Sequence, residues 1–299
     1  MKSVAHFPDG TDIHYQLEGR GSPTLVSVHG WSCDRRHWNN QLDFFSRRYR
    51  VVACDLADHG VWGLSRTNWT MSGSVTTFSR SSPSRRLPDV VLIGHLMGGD
   101  VIVETALHEP ARIAGLIWID VYSSLGRTRS AEDVREFIAP FRQDFVAFTR
   151  AFVRLMFLSG SDPDLVDWVV SDMSAAPPEV ALGALEHAIT NDLAIVAGLR
   201  ELSKPVIAIN PDYSSTDSES LHRHGVQSVV MPNVAHFLMM EEPEGFNRLL
   251  GAAIEILIET GSSSGTVQPV WFNLRNRRKA PHAGRNLQMS TASPAQPAG

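Results

Sequence analysis

The chain has 299 residues, 43% hydrophobic and 20% charged, which is enough for a full core, and no apolar run approaches the ~20 residues of a membrane span. Its net charge of −5 is uneven: residues 260–299 hold five cations (Arg275, Arg277, Arg278, Lys279, Arg285) and no acid, so removing them leaves −10 on residues 1–259. An acidic body argues against a nucleic-acid partner. The two cysteines, Cys33 and Cys54, make neither a disulfide framework nor a metal pattern, and the start MKSVAHFPDGT lacks a secretory signal. These features lead to the expectation of a cytoplasmic protein with no membrane association, metal or cofactor.

In chain order, Val4–Phe7 and Thr11–Gln16 flank the turn triplet Pro8-Asp9-Gly10 and read as a hairpin. Thr24–Val28 is an apolar strand that ends in His29-Gly30-Trp31. Trp38–Phe45 is helical, and Tyr49–Cys54 is the next strand, closing at Asp55. Val90–Ile93 is a strand, the helix Gly98–His108 follows, and Ile113–Ile119 is a strand closing at Asp120. Strands alternating with helices imply a mostly parallel α/β sheet with helices on both faces.

From Tyr122 to Lys204 the period changes. Ala131–Ser174 and Pro178–Leu202 are helical, with an aromatic series at Phe137, Phe141, Phe145, Phe148, Phe152 and Phe157, then Trp168. This series reads either as helix core or as the apolar roof of a pocket. Strands resume at Pro205–Asn210 and Gln227–Met231, and Pro243–Glu259 is an amphipathic helix. The domain expectation is an α/β core from 1–121 and 203–259, a helical cap over 122–202, and a disordered basic tail over 260–299.

The stretch between strand and helix, Gly94-His95-Leu96-Met97-Gly98-Gly99, has the G-x-S-x-G layout of a nucleophile elbow, with leucine where the serine belongs. Together with His29-Gly30-Trp31, Asp55-Leu56…His59-Gly60 and Asn233-Val234-Ala235-His236-Phe237, it makes four motifs in order at successive strand ends. Over about Val4–Glu259 the chain resembles the α/β-hydrolase family, in an esterase/lactonase-like branch with a small helical cap. The resemblance implies an eight-stranded, mostly parallel sheet. It also implies a hydrolase of a small ester, lactone or amide acting through a Ser-His-Asp type site.

On that resemblance His236 is the base. Its orienting acid is Asp120, at the end of a buried strand, with Asp212 and Asp217 as alternatives on the loop after the next strand. The oxyanion hole is formed by the backbone N–H groups of Trp31 and Met97. His29, His59 and His95 belong to the turns; His37, His187, His222, His224 and His282 read as surface residues, and Cys33 as a small buried hydrophobe. Leu96 at the nucleophile position implies an inactive or crippled hydrolase, since losing such a nucleophile costs about 10⁶-fold in turnover. The other readings are a protein that binds a small apolar molecule in its capped pocket, and a cofactor-free base catalyst, dioxygenase-like, using His236 and Asp120.

Ser72–Arg86, SGSVTTFSRSSPSRR, stands where that fold needs a helix, yet it is serine-rich, holds a proline and has little helical periodicity. Read one base out of phase in GC-rich codons, it can encode GFGDDVFAIVAKPEA, an amphipathic helix. Two compensating frameshifts are the expectation, with Leu96 a separate one-base change from serine. The nucleotide sequence tests this.

Overall fold

A computed structural model describes residues 2–6, 12–56 and 90–262. Eight strands form one sheet: β1 (Lys2–His6), β2 (Asp12–Glu18), β3 (Thr24–Val28), β4 (Arg50–Cys54), β5 (Val90–His95), β6 (Ile113–Ile119), β7 (Val206–Pro211) and β8 (Val226–Met231). Their order is β1-β2-β4-β3-β5-β6-β7-β8. β1 and β2 pair antiparallel, β2 pairs antiparallel with β4, and the remaining ladders are parallel. This is the α/β-hydrolase fold that the sequence implied. Its central strands β3 and β5 are buried along their whole length, as expected where both faces of a parallel sheet are covered, and so read as unbroken apolar runs.

The described helices are α1 (Asn39–Phe45), α2 (Gly98–His108), α3 (Ala131–Gln143), α4 (Phe145–Arg154), α5 (Pro163–Ser174), α6 (Pro178–Thr190), α7 (Asp192–Glu201), α8 (Ser218–Arg223), α9 (Leu238–Glu241) and α10 (Pro243–Ser262). The five helices α3–α7 lie between β6 and β7. Their breaks are local. Asp144 caps α4 by accepting from Ala147 N–H at 2.9 Å, and Asp162 caps α5 by accepting from Asp164 N–H at 3.0 Å, with Pro163 in the first turn. α2 packs on β3, β5 and β6, and α10 on β6 and β7.

Several strand and helix ends differ from the sequence reading, among them those at the elbow and at the tail. β5 continues two residues past Ile93, because Gly94 and His95 still pair with Trp118 and Ile119 of β6. α10 runs on through the first residues of the expected tail, with Thr260 Oγ1 donating to Ile256 O at 2.9 Å. Ser72–Arg86, His59 and residues 263–299 lie outside the described residues. Among the described residues no single helix is long and apolar enough to cross a membrane.

Candidate active site

Six strands, β4-β3-β5-β6-β7-β8, run parallel, so their C-terminal ends share one edge, where open α/β sheets place their sites. Four non-glycine residues among the described ones have positive φ: Ser32 (53°), Leu96 (48°), Asp120 (44°) and Asn233 (60°). They stand after β3, β5, β6 and β8 respectively. Left-handed backbone costs on the order of 1–2 kcal/mol for such residues and concentrates where function demands a special geometry.

At the elbow, Leu96 N–H donates to Ile119 O at 3.1 Å and Gly99 N–H to Leu96 O at 2.9 Å, so the turn is held from both sides. The turn also needs its glycines. A Cβ on Gly98 would lie 2.6 Å from Val28 O and 2.7 Å from His29 O, and one on Gly30 would lie 2.8 Å from His95 Nδ1 and 3.3 Å from Leu96 Cβ. The turn after β3 therefore presses directly on the elbow. Leu96 is half-buried at its tip.

His236 follows β8, and its ring meets Asp120: Nδ1 lies 2.6 Å from Oδ2, with both side chains largely buried. Asp212 is exposed, and Asp217 caps α8 by accepting from Ser220 N–H at 2.9 Å. Of the three carboxylates left open by the sequence, the structure therefore brings Asp120 to His236. Asp120 is aimed there by its positive φ and by its N–H donating to Ile209 O at 3.1 Å. The other ring nitrogen, His236 Nε2, is buried without a hydrogen-bond partner among the described residues.

The main chain around His236 is fixed on several sides. Its N–H donates to Met156 O at 3.2 Å, and its carbonyl accepts from His95 Nε2 at 3.0 Å. Glu241 Oε1 accepts from the flanking amides of Ala235 and Phe237, each at 3.2 Å. Burial, with His236 nearby, holds the His95 pKa well below the usual imidazole value, so the ring is neutral.

Trp31 packs its ring against the helices between β6 and β7. Its Nε1 donates to Ala181 O in α6 at 2.7 Å, and its ring meets Phe141, Phe145 and Phe152 edge-on at 5.6–6.3 Å. Phe141 and Phe145 are buried, whereas Phe137, Phe148 and Phe152 are half-buried, so the aromatic series is partly core and partly accessible. The Trp31 and Met97 N–H groups have no main-chain acceptor among the described residues.

Several contributors escaped the sequence reading. His37 is buried, contrary to the surface expectation. Its Nδ1 accepts from Asp34 N–H at 3.4 Å, and burial pushes its pKa down to about 4. The capping spacing Asp34-Arg35-Arg36-His37 was the available signal. Asp34, His37 and Asp172 bring ligand atoms within 4.8 Å of one another, but Arg36 bonds both carboxylates and supplies the positive charge there. Tyr213 Oη lies 3.4 Å from Asp120 Oδ2 as a weak second donor. Asp100 in α2 accepts from Tyr122 Oη at 2.9 Å and from Asn191 Nδ2 at 3.1 Å.

A family model described as "Alpha/beta hydrolase family" matches residues 25–249. The chain belongs to that family. Among curated relatives it is 24% identical over 256 residues to the pimeloyl-[acyl-carrier protein] methyl ester esterase of Nitrosospira multiformis, covering 78% of this chain and 95% of the relative. It is 27% identical to the esterase of the same name from Yersinia enterocolitica, covering 80% and 95%. Among solved structures, a thermophilic esterase from Thermogutta terrifontis superposes with a TM-score of 0.72 at 22% identity, covering 86% of this chain and 99% of that one. The enol-lactonase from Burkholderia xenovorans superposes with a TM-score of 0.71 at 18% identity, covering 85% and 100%.

Proposed function

We propose that this α/β hydrolase is built for a small carboxylic ester and, with Leu96 as written, binds such an ester without forming an acyl-enzyme. The observation that carries the reading is the His236–Asp120 pair at 2.6 Å, with His236 Nε2 buried and unpartnered on the edge where the elbow presents Leu96. In a working triad that nitrogen accepts the serine proton as the hydroxyl attacks the carbonyl, while the aspartate fixes the ring tautomer. The Trp31 and Met97 amides receive the developing oxyanion. A leucine has no proton to give and no lone pair with which to attack.

The ester class is supported by the curated relatives above, which are methyl ester esterases. In this reading α3–α7 form a cap, tied down through Trp31 and Ala181, and its half-buried phenylalanines face an apolar acyl or ring group. Cofactor-free base catalysis by the dyad is the second reading. It uses the same ring nitrogen as the triad but needs no hydroxyl at position 96, so turnover by the parent protein separates the two readings.

Restoring the hydroxyl tests the proposal. Leu96→Ser should hydrolyse p-nitrophenyl butyrate at least ~10³-fold faster than the parent, and adding His236→Ala or Asp120→Asn should remove most of that gain. A folded Leu96→Ser variant without turnover refutes the ester-hydrolase reading. Turnover by the parent that depends on His236 establishes the base-catalyst reading instead.

A further inference from the structure

Three of the four positive-φ residues have a role in the site just described. Leu96 stands at the tip of the elbow, Asp120 turns its carboxylate to His236, and Asn233 makes the turn before His236. The fourth, Ser32, has none so far. It is the third residue of the turn closed by Cys33 N–H donating to Gly30 O at 3.3 Å, and its φ is 53°. That position of a type II turn favours glycine or asparagine.

Serine is unfavourable there twice over. Its backbone occupies the left-handed region, and its side chain is nearly sealed at 5% exposure with no hydrogen-bond partner for Oγ among the described residues. A glycine would remove both penalties. Other polar groups of this turn are in use. Cys33 Sγ donates to Trp31 O at 3.3 Å, Trp31 Nε1 donates to Ala181 O at 2.7 Å, and the Asp34 carboxylate accepts from Arg36 N–H at 2.7 Å. Among the described residues neither the Ser32 hydroxyl nor the Trp31 N–H has a hydrogen-bond partner, and the two are adjacent in the chain on a turn that touches Leu96 through Gly30.

We infer that the Ser32 hydroxyl is a ligand-binding group that hydrogen-bonds the carbonyl-side oxygens of an ester held between this turn and the elbow, beside the Trp31 amide. This rests on the ester-binding reading of the site. A hydroxyl rotor can follow the oxygen from planar carbonyl to tetrahedral oxyanion. Ser32 therefore binds ground state and transition state alike, and its effect falls on affinity more than on the chemical step.

In the ester-binding reading the parent, with leucine at position 96, leaves p-nitrophenyl butyrate intact, so its affinity is directly measurable. Titrating the full-length parent, Ser32→Ala and Ser32→Gly with that ester, followed by saturation-transfer NMR, should give a Kd about 3- to 10-fold weaker in both variants. Ser32→Gly should at the same time melt about 2–6 °C higher than the parent. In the Leu96→Ser background both substitutions should raise KM by a similar factor and leave kcat within about twofold. A merely structural Ser32 gives a Ser32→Gly protein that is more stable and binds the ester unchanged, and this overturns the inference. A Ser32→Gly melt no higher than the parent overturns it too, since the hydroxyl then has a partner of its own. If Leu96→Ser is inert while both Ser32 variants still bind the ester more weakly, the hydrolase reading falls and the Ser32 inference stands. If the parent binds no ester and Leu96→Ser is inert, both fall.

Discussion

Asp100→Asn probes how the elbow helix is fastened to its surroundings. Asp100 lies in the first turn of α2 and is 2% exposed. Burial raises its carboxyl from 3.8 to about 7, against the hydrogen bonds from Asn191 and Tyr122, and the nearby Glu104 and Asp192 push the same way. The unfolded chain releases this proton near pH 3.8, whereas the folded chain keeps it until about pH 7. Across that window the folded state binds more protons. The contribution to stability is therefore complete below the lower value, shrinks as pH rises, and is gone above the upper one. At ~1.4 kcal/mol per pH unit, the loss between pH 5 and pH 8 is on the order of 3 kcal/mol. Asparagine keeps the shape and cannot titrate. It can still accept from Tyr122 but not from the Asn191 amide, and that loss is equal at both pH values. Urea unfolding of parent and variant at pH 5 and pH 8 provides the assay. The parent should lose about 3 kcal/mol more than Asp100→Asn on going to pH 8, and contributions from Asp172 and Glu241, whose carboxyls burial also raises, cancel in the difference. Equal losses in the two proteins refute the reasoning.

Two further outcomes test the packing of the same edge. Gly98→Ala sets a Cβ against the backbone oxygens of Val28 and His29 at 2.6 and 2.7 Å, whereas Gly99→Ala meets only Val121 side-chain atoms, the nearest at 2.4 Å. Gly99→Ala should cost about 1–3 kcal/mol in thermal unfolding and Gly98→Ala clearly more, because a backbone cannot rotate away; the reverse order would show that the elbow does not sit on β3 as described. Arg36→Ala leaves Asp34, 3% exposed, and Asp172 without their shared guanidinium. A loss of about 1–3 kcal/mol and faster limited proteolysis around α5 should follow, and an unchanged melt with unchanged proteolysis counts against this ion pair as a fastening.

Much of the fold was legible because its signals are local. A parallel strand covered on both faces is a continuous apolar run, so Thr24–Val28 and Ile113–Ile119 are found at the same residues in sequence and structure. The elbow announces itself through glycines that only close backbone approach requires, and His236 through its place in the fourth strand-end motif. His37 was misread because a single histidine within a polar stretch gives no sign of the surrounding Trp168 and Phe237 rings, which lie 131 and 200 positions away in the chain.

The amino-acid order by itself determined the strand sequence, the elbow and the absence of a nucleophile at Leu96, since each depends on a few neighbouring residues. The partner of His236 was not determined at that level. Asp120 stands first because it directly ends a fully apolar strand, but Asp212 and Asp217, on the loop after the next strand, stay open. The choice was made by the parallel register that sets Ile119 beside Ile209, by the positive φ that swings Asp120 toward β8, and by the capping bond that holds Asp217 at α8. The Asp100–Tyr122–Asn191 cluster and the unpartnered hydroxyl of Ser32 belong to the same class. Hydrogen bonding and burial are properties of where distant segments meet, and only the folded chain brings those segments together.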